Sequence, residues 1–358
     1  MSLYSIEIKN FRGISQIELN DFKSINLLVG KNNCGKTSLL EALFLSIGVS
    51  NPQLAITIDT FRGLLHNEID DFQFIFFNLD PANEIEMNSQ FVAPTQYRKL
   101  IIKPIYQNHD KSLDIKRPHE ATVTSTVTVE RKISGVEFEF SVKSIKQSKD
   151  VLFKSSLEFL SGTLKVQPAV GYIEKFLGVY INTRTMQQEL YERLDKIIQL
   201  KAEKKFIKTL NVIDPRIVDI SLGSKGMIYF DLGLDRRIPI QIMGDGIGRL
   251  LSILVTIAYY ENGIVLIDEI ENGFHASTLN LLWSSIQDVA LAYNVQVFAT
   301  THSLECVRTF SNTFSHDLLG NDLIRLYRLE RSKENKFKAI KYTGEVLQSS
   351  LESNWEIR

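Results

Sequence analysis

Hydrophobic and polar positions alternate from the start of the chain. Leu3, Ser5, Glu7 and Lys9 alternate with Tyr4, Ile6 and Ile8, a two-residue period that predicts a strand. A second strand is predicted over residues 14–19. Residues 24–29 form a mostly apolar run ending at Gly30, the texture of a strand buried on both faces. The period then changes. Leu39, Leu40, Leu43, Phe44 and Ile47 follow helical spacing and predict a helix over residues 36–47.

The middle of the chain, residues 49–236, has a different texture. Residues 59–86 are acid-rich and carry aromatics between Phe72 and Phe77. Residues 121–133 and 136–145 are rich in β-branched side chains and predict two strands, with Gly135 as the turn between them. Residues 186–210 predict one helix, with Leu190, Leu194, Ile197, Ile198 and Leu200 on its apolar face and Pro215 beyond its end. Short strands are predicted at 217–222 and 227–232. The last third returns to αβ alternation: helix 246–260, strand 263–267, helix 276–292, strand 295–299, and a hairpin from 323–329 and 337–342. The pattern predicts an α/β fold with a mixed or parallel sheet, interrupted by a β-rich and helical insertion. Residues 1–50 and 211–358 would form one discontinuous domain. Residues 51–184 would be the β-rich insertion, partly an antiparallel lobe of that domain, and 185–210 a helical arm for dimerisation or partner binding.

Composition narrows the class. Lys plus Arg is 41 and Asp plus Glu 42, so the net charge of −1 argues against a uniformly basic nucleic-acid coat protein. A hydrophobic fraction of 44% and a charged fraction of 23% exclude disorder as the main state. Cys34 and Cys306 are the two cysteines, too few for a disulfide scaffold and without CxxC spacing for zinc. No targeting segment is legible, and the longest near-apolar run, residues 250–260, is too short to span a bilayer. A cytoplasmic location and no membrane partner are expected.

The chemistry begins at Gly30-Lys31-Asn32-Asn33-Cys34-Gly35-Lys36-Thr37, which satisfies GxxxxGK[ST] between a strand and a helix. Such a turn converges backbone N–H groups on phosphate oxygens, and the helix beginning after Gly35 adds its positive end. Lys36 would reach the β- and γ-phosphates, and the Thr37 hydroxyl would ligate Mg²⁺. A chance glycine turn is the competing reading; the strand before and the helix after disfavour it. The apolar run 264–267 feeds Asp268 and Glu269, one acid for the Mg²⁺ shell and one for the attacking water. Residues 299–303, Ala-Thr-Thr-His-Ser, follow the next apolar strand. They offer His302 to the γ-phosphate and Ser303 as a helix cap.

Together with Asn10-Phe11-Arg12-Gly13, the acidic run ending in Asn272-Gly273-Phe274-His275, and residues 243–249, these motifs resemble the ABC-type P-loop ATPases of the OLD and RecF-like group. The resemblance covers residues 1–50 and about 237–345, and the middle poorly. It implies an ATPase head with ATP and Mg²⁺ as cofactors, and a homodimer or higher homo-oligomer that sandwiches nucleotide. The implied nucleotide-binding residues are Gly30, Asn32, Asn33, Gly35, Lys36, Thr37 and Ser38, with Arg12 near the phosphates or base. Gly244, Asp245 and Gly246 stand where the ABC signature lies and would cap the partner's γ-phosphate, although the usual Ser-Gly-Gly is absent. Asp268 and Thr37 would hold the metal. Glu269, His302 and Lys36 would be catalytic and residues 271–275 the D-loop; Gln73 is a candidate Q-loop glutamine and equally a plain surface glutamine.

Full-length OLD relatives carry a C-terminal Toprim nuclease. About ninety residues follow the Asp268-Glu269 pair, too few for such a domain, and they contain no Asp-x-Asp pair. The implied function is therefore a nucleotide-gated ATPase that controls a separately encoded effector, nuclease or toxin, in bacterial anti-phage defence. The alternative is a RecF-like DNA-binding ATPase of repair. A metabolic P-loop kinase is disfavoured because it needs neither the Asp-Glu pair nor the histidine. Nucleic acid is a possible partner through basic residues at Arg193, Lys196, Lys201, Lys204, Lys205 and Lys208, or at Arg98, Lys99, Lys103, Lys111, Lys116 and Arg117. Solvated helix and sheet faces are the competing reading.

Overall fold

A computed structural model describes residues 2–64, 69–92, 94–107, 132–144, 151–160, 162–182, 185, 189–315, 320–332, 336–353 and 357. Strand β1 (Ser2–Phe11) turns into β2 (Ile14–Asn20), and β3 (Ile25–Val29) leads through the glycine loop into helix α1 (Lys36–Ile47). Helix α2 (Leu54–Phe61) precedes β4 (Ile85–Val92), β5 (Gln96–Tyr106), β6 (Ile133–Ser144), β7 (Leu152–Leu160), β8 (Thr163–Gln167) and β9 (Gly178–Ile181). Helices α3 (Leu190–Gln199) and α4 (Glu203–Ile213) are followed by β10 (Asp219–Leu222), β11 (Ile228–Asp231) and β12 (Ile238–Pro239). Then come α5 (Asp245–Tyr259), β13 (Ile264–Ile267), α6 (Leu279–Ala292), β14 (Gln296–Thr300), α7 (Leu304–Ser315), α8 (Gly320–Leu323), β15 (Ile324–Arg331), β16 (Phe337–Tyr342) and α9 (Gly344–Glu352).

Two large sheets organise these elements. One runs β2-β1-β4-β5-β6-β7-β8 with antiparallel pairing throughout. The other runs β16-β15-β3-β14-β13-β9, parallel except for β16 at its edge. Helix α1 lies between the sheets, against β1 and β4 on one side and β9, β13 and β14 on the other. It is buried from Leu39 to Ile47, as a helix covered on all sides must be. The far face of the parallel sheet packs on α5, α6 and α7.

The pleat sorts the side chains between these layers. Ile25, Leu27, Val29, Val265, Ile267, Val297 and Ala299 join the cluster with α5 and α6. Leu28, Ile264, Leu266 and Phe298 point the other way, into the cluster with α1 and the antiparallel sheet. A strand buried on both faces shows no alternation of polarity, which is why these runs read as uniformly apolar. The α/β class with a mixed, largely parallel sheet expected from the pattern is the class observed. Among the described residues no helix is long and apolar enough to cross a membrane.

The middle region differs from its sequence reading. Strand β9 lies within it yet pairs in parallel with β13, so the chain returns to the parallel sheet well before residue 211. The helix predicted over 186–210 is two helices, broken at Lys201 with φ 57°; residues 186–188 lie outside the described part. Neither helix projects as an arm. Leu190, Leu194, Ile197, Phe206 and Leu210 are buried in the core with α5, and Arg193 is buried with its guanidinium donating to Thr256 Oγ1 at 2.8 Å. The strand predicted over 121–133 lies almost wholly outside the described residues.

Gly135 is not a turn but sits inside β6. A Cβ there would meet the Leu157 carbonyl oxygen of β7 at 2.1 Å. Close approach of two strands, rather than chain reversal, requires the glycine. Gly135→Ala should cost about 1–3 kcal/mol by overpacking, visible as a lower urea midpoint at unchanged slope. An unchanged midpoint would show that the two strands separate freely.

Candidate functional site

The glycine loop leaves the carboxyl end of β3, the strand between β14 and β15, and opens into a cavity of about 530 Å³. Gly35 caps α1 with φ 88°, and a Cβ on it would lie 2.9 Å from the Phe337 ring, so both conformation and space demand glycine. Asn32, Asn33, Gly35, Lys36, Thr37 and Ser38 line the cavity, joined by Asp268, Glu269 and His302. The motifs legible in the sequence are thus brought together. Gly30 supports rather than lines the cavity: its carbonyl accepts from Lys36 Nζ at 2.7 Å, and the Lys31 carbonyl does so at 3.1 Å.

The carboxylate of Asp268 is held from three sides. Thr37 Oγ1 donates to Oδ2 at 3.0 Å, Tyr180 Oη donates to Oδ2 at 3.1 Å, and Thr300 Oγ1 donates to Oδ1 at 2.5 Å. Burial, and then the neighbouring Asp268 charge, push the Tyr180 phenol well above its ordinary pKa, so it remains a donor. Thr300 Oγ1 also accepts the Glu269 N–H at 2.8 Å. Glu269 stands at φ 50°, a left-handed conformation that strains a residue with a side chain. Its carbonyl accepts from Arg249 Nη2 at 2.8 Å, and its carboxylate accepts from Asn272 Nδ2 at 2.5 Å. These bonds hold the strained turn and leave the Glu269 side chain facing the cavity.

His302 stands opposite, at the end of β14. Its N–H donates to Glu271 Oε1 at 2.9 Å, and its Nδ1 lies 3.0 Å from the same oxygen. Ser303 is the expected cap: its Oγ accepts the Cys306 N–H in the first turn of α7 at 3.2 Å. Gly244, Asp245 and Gly246 begin α5 and do not line this cavity. Gly246 packs instead against the turn that follows Glu269, a Cβ on it reaching to 3.2 Å of the Gly273 carbonyl oxygen.

Three expectations fail on geometry. Arg12 points away from the cavity into a buried ion cluster, its Nε 2.7 Å from Glu41 Oε2 and its Nη2 2.7 Å from Asp59 Oδ1. Glu41 and Asp59 are fully buried, so the guanidinium is their counter-ion and is not available to phosphate. Burial pushes the Glu41 carboxyl up, against the pull of Arg12 and Arg62. Arg98 is likewise buried, in a two-pronged pair with Glu174 at 2.9 and 3.1 Å and over the Phe91 ring. Lys103 pairs with Glu139; Lys111, Lys116 and Arg117 lie outside the described residues. Gln73 does not line the cavity.

Other residues at the site were not singled out from sequence. Arg62 lines the cavity and grips α1, with Nε 2.7 Å from Glu41 Oε1 and Nη2 3.1 Å from Ser38 Oγ. Tyr180 comes from the middle region and carries no motif. Thr300 lies inside the run 299–303, where a threonine closing an apolar strand is the available signal. Arg331 and Phe337 enter from the terminal hairpin.

A family model described as "AAA domain, putative AbiEii toxin, Type IV TA system" matches residues 25–308. An ATP/GTP phosphatase of Helicobacter pylori is 23% identical over 331 residues, 85% of this chain and 86% of that protein. The DNA replication and repair protein RecF of Staphylococcus carnosus is 21% identical over 387 residues, 93% of this chain and 99% of that protein. A crystal structure of an Smc head bound to the C-winged helix domain of ScpA superposes with a TM-score of 0.52 at 10% identity. It covers 96% of this chain and 99% of that one, a likeness of fold.

Replacing Arg12 separates the two roles considered for it. Arg12→Leu removes the cation that bridges buried Asp59 and Glu41 and should cost about 3–5 kcal/mol, measured by urea denaturation. A variant of wild-type stability would show that the buried cluster does not need its central cation.

Proposed function

The chain belongs to the AAA-domain family of the AbiEii type, with the fold of an ABC-type P-loop ATPase; from that premise we propose that it binds and hydrolyses a nucleoside triphosphate, ATP foremost, in the cavity between Lys36 and Glu269. The observation that carries this is the Thr37–Asp268–Thr300 chain of hydrogen bonds, which fixes the two acids against the phosphate loop. The name of the Helicobacter pylori relative supports triphosphate hydrolysis.

The donor set fits magnesium. Thr37 Oγ1 and the Asp268 carboxylate are hard oxygens 3.0 Å apart. Among the described residues no group of three or more His, Cys, Asp or Glu could cage a metal by itself. Magnesium suits one carboxylate and a hydroxyl completed by phosphate oxygens. When bound it neutralises charge on the β- and γ-phosphates. The chain's own groups do the rest. The loop N–H groups and Lys36 bind the triphosphate and offset its charge. Glu269 accepts a proton from the water that attacks the γ-phosphorus, and the bond from that phosphorus to the β,γ-bridging oxygen breaks, leaving ADP and phosphate. His302, oriented by Glu271, positions the γ-phosphate oxygens.

The exposed start of α5, at Gly244 to Gly246, would complete the cavity of a second copy, so that ATP favours a closed homodimer by differential binding. Because Gly246 and Arg249 touch the turn after Glu269, closure and the catalytic acid share one support. The dimer would control a separately encoded nuclease or toxin; the family's description places such ATPase domains in toxin–antitoxin systems, where the toxin is the family member itself. The near full-length alignment with RecF favours a second reading, an ATP-gated clamp on DNA.

Glu269→Gln should lower ATP turnover about 100-fold or more while retaining bound ATP and accumulating dimer in gel filtration; wild-type turnover would refute the assignment. Thr300→Val should lower turnover about tenfold with the fold intact, and Thr300→Ser should restore it. Co-purification of a neighbouring effector distinguishes the switch from the clamp, which predicts ATP-enhanced, salt-sensitive duplex binding without a partner.

A further inference from the structure

We infer, resting on the nucleotide reading of the same cavity, that Phe337 and Arg331 of the terminal hairpin form the platform for the base of the triphosphate, and that the platform accepts purines with little discrimination between them. The order of strands places it. The phosphate loop follows β3; His302 follows β14 and Asp268 follows β13, both on one side of β3. Strand β15 lies on the other side, parallel to β3, so its last residue, Arg331, stands at the same end of the sheet as the loop. Phe337 opens β16 directly across from Arg331 in the ladder. A triphosphate whose γ-phosphate lies at Glu269 and whose chain runs along the loop therefore delivers its base toward β15 and β16.

The chemistry there suits a base. The Phe337 ring lies over Gly35, close enough that a Cβ on Gly35 would meet it at 2.9 Å. The Arg331 guanidinium carbon is 5.4 Å from the ring centroid, and Ile14 adds an apolar wall beside the same cavity. An aromatic face, a guanidinium and an aliphatic wall recognise the π-face of a base, which adenine and guanine share. The polar side chains nearest the loop, Asn32 and Asn33, are exposed, and an amide both donates and accepts and can turn to suit either purine edge. Discrimination of several powers of ten requires fixed, buried donors and acceptors, and Asn32 and Asn33 are exposed.

Binding of Mg·ATP, Mg·GTP and magnesium tripolyphosphate to the full chain, measured by calorimetry, tests this. ATP and GTP should bind within about fivefold of each other, and tripolyphosphate about tenfold more weakly. Phe337→Ala should weaken both nucleotides about tenfold and leave tripolyphosphate unchanged, and Phe337→Trp should retain nucleotide affinity. Emission of that tryptophan, after subtraction of the wild-type signal, should be quenched by either nucleotide and not by tripolyphosphate. The platform is wrong if Phe337→Ala binds ATP normally, or if it loses tripolyphosphate as strongly as ATP. A preference above about fiftyfold for one purine would overturn recognition by the face alone. If the wild type binds neither nucleotide nor tripolyphosphate, the nucleotide reading itself falls; if it binds all three equally, that reading stands and the platform falls.

Discussion

One carboxylate holds the site together. Asp268 ends a strand of the parallel sheet and receives hydrogen bonds from Thr37 on α1, Tyr180 on β9 and Thr300 on β14. Four segments far apart in the chain are fixed to each other through its two oxygens. A carboxylate so placed would be costly without donors, and with them it sets the distance between the glycine loop and Glu269. Thr300 extends the same constraint by one residue, because its oxygen also accepts the N–H of Glu269 in the strained turn.

The same logic recurs one layer deeper. Helix α1 is sandwiched between two sheets, so a charge beyond its first turn is buried. Glu41 is such a charge, and Arg12 from the first hairpin and Arg62 from beyond α2 converge on it. A buried ion cluster of this kind contributes little net stability, but it penalises any packing that separates its members. It therefore sets how the antiparallel sheet sits on the helix that carries the phosphate loop. Arg98 and Glu174 tie that sheet to the segment leading into β9 in the same way, with the guanidinium also reaching the Ile47 carbonyl at the end of α1.

These constraints tie Asp268 to the glycine loop and to the strands on either side of it. Glu269 depends on its own chain for backbone support, from Thr300 and Arg249, while the start of α5 faces outward. The turn touched by Gly246 and Arg249 is shared by the start of α5 and Glu269. Backbone strain and dense packing thus lie in different parts of the fold, a short turn at Glu269 and the sandwich around α1.

Much of this was written locally in the chain. The loop from Gly30 to Thr37, the acids after an apolar run, His302 after another and the helix over 36–47 are periodicities and spacings, and local backbone physics makes them legible. The terminal hairpin and the α/β class followed from the same patterns. Tertiary structure alone decided where β9 inserts, that Gly135 is pressed against a neighbouring strand, that the helices over 190–213 lie in the core and do not project, and that Arg12 and Arg98 are counter-ions. It alone brought Tyr180, Arg62, Arg331 and Phe337 to the cavity. The physical reason is that a partner distant in sequence leaves no mark on spacing. An arginine reads the same whether it meets phosphate, water or a buried carboxylate, until packing chooses which.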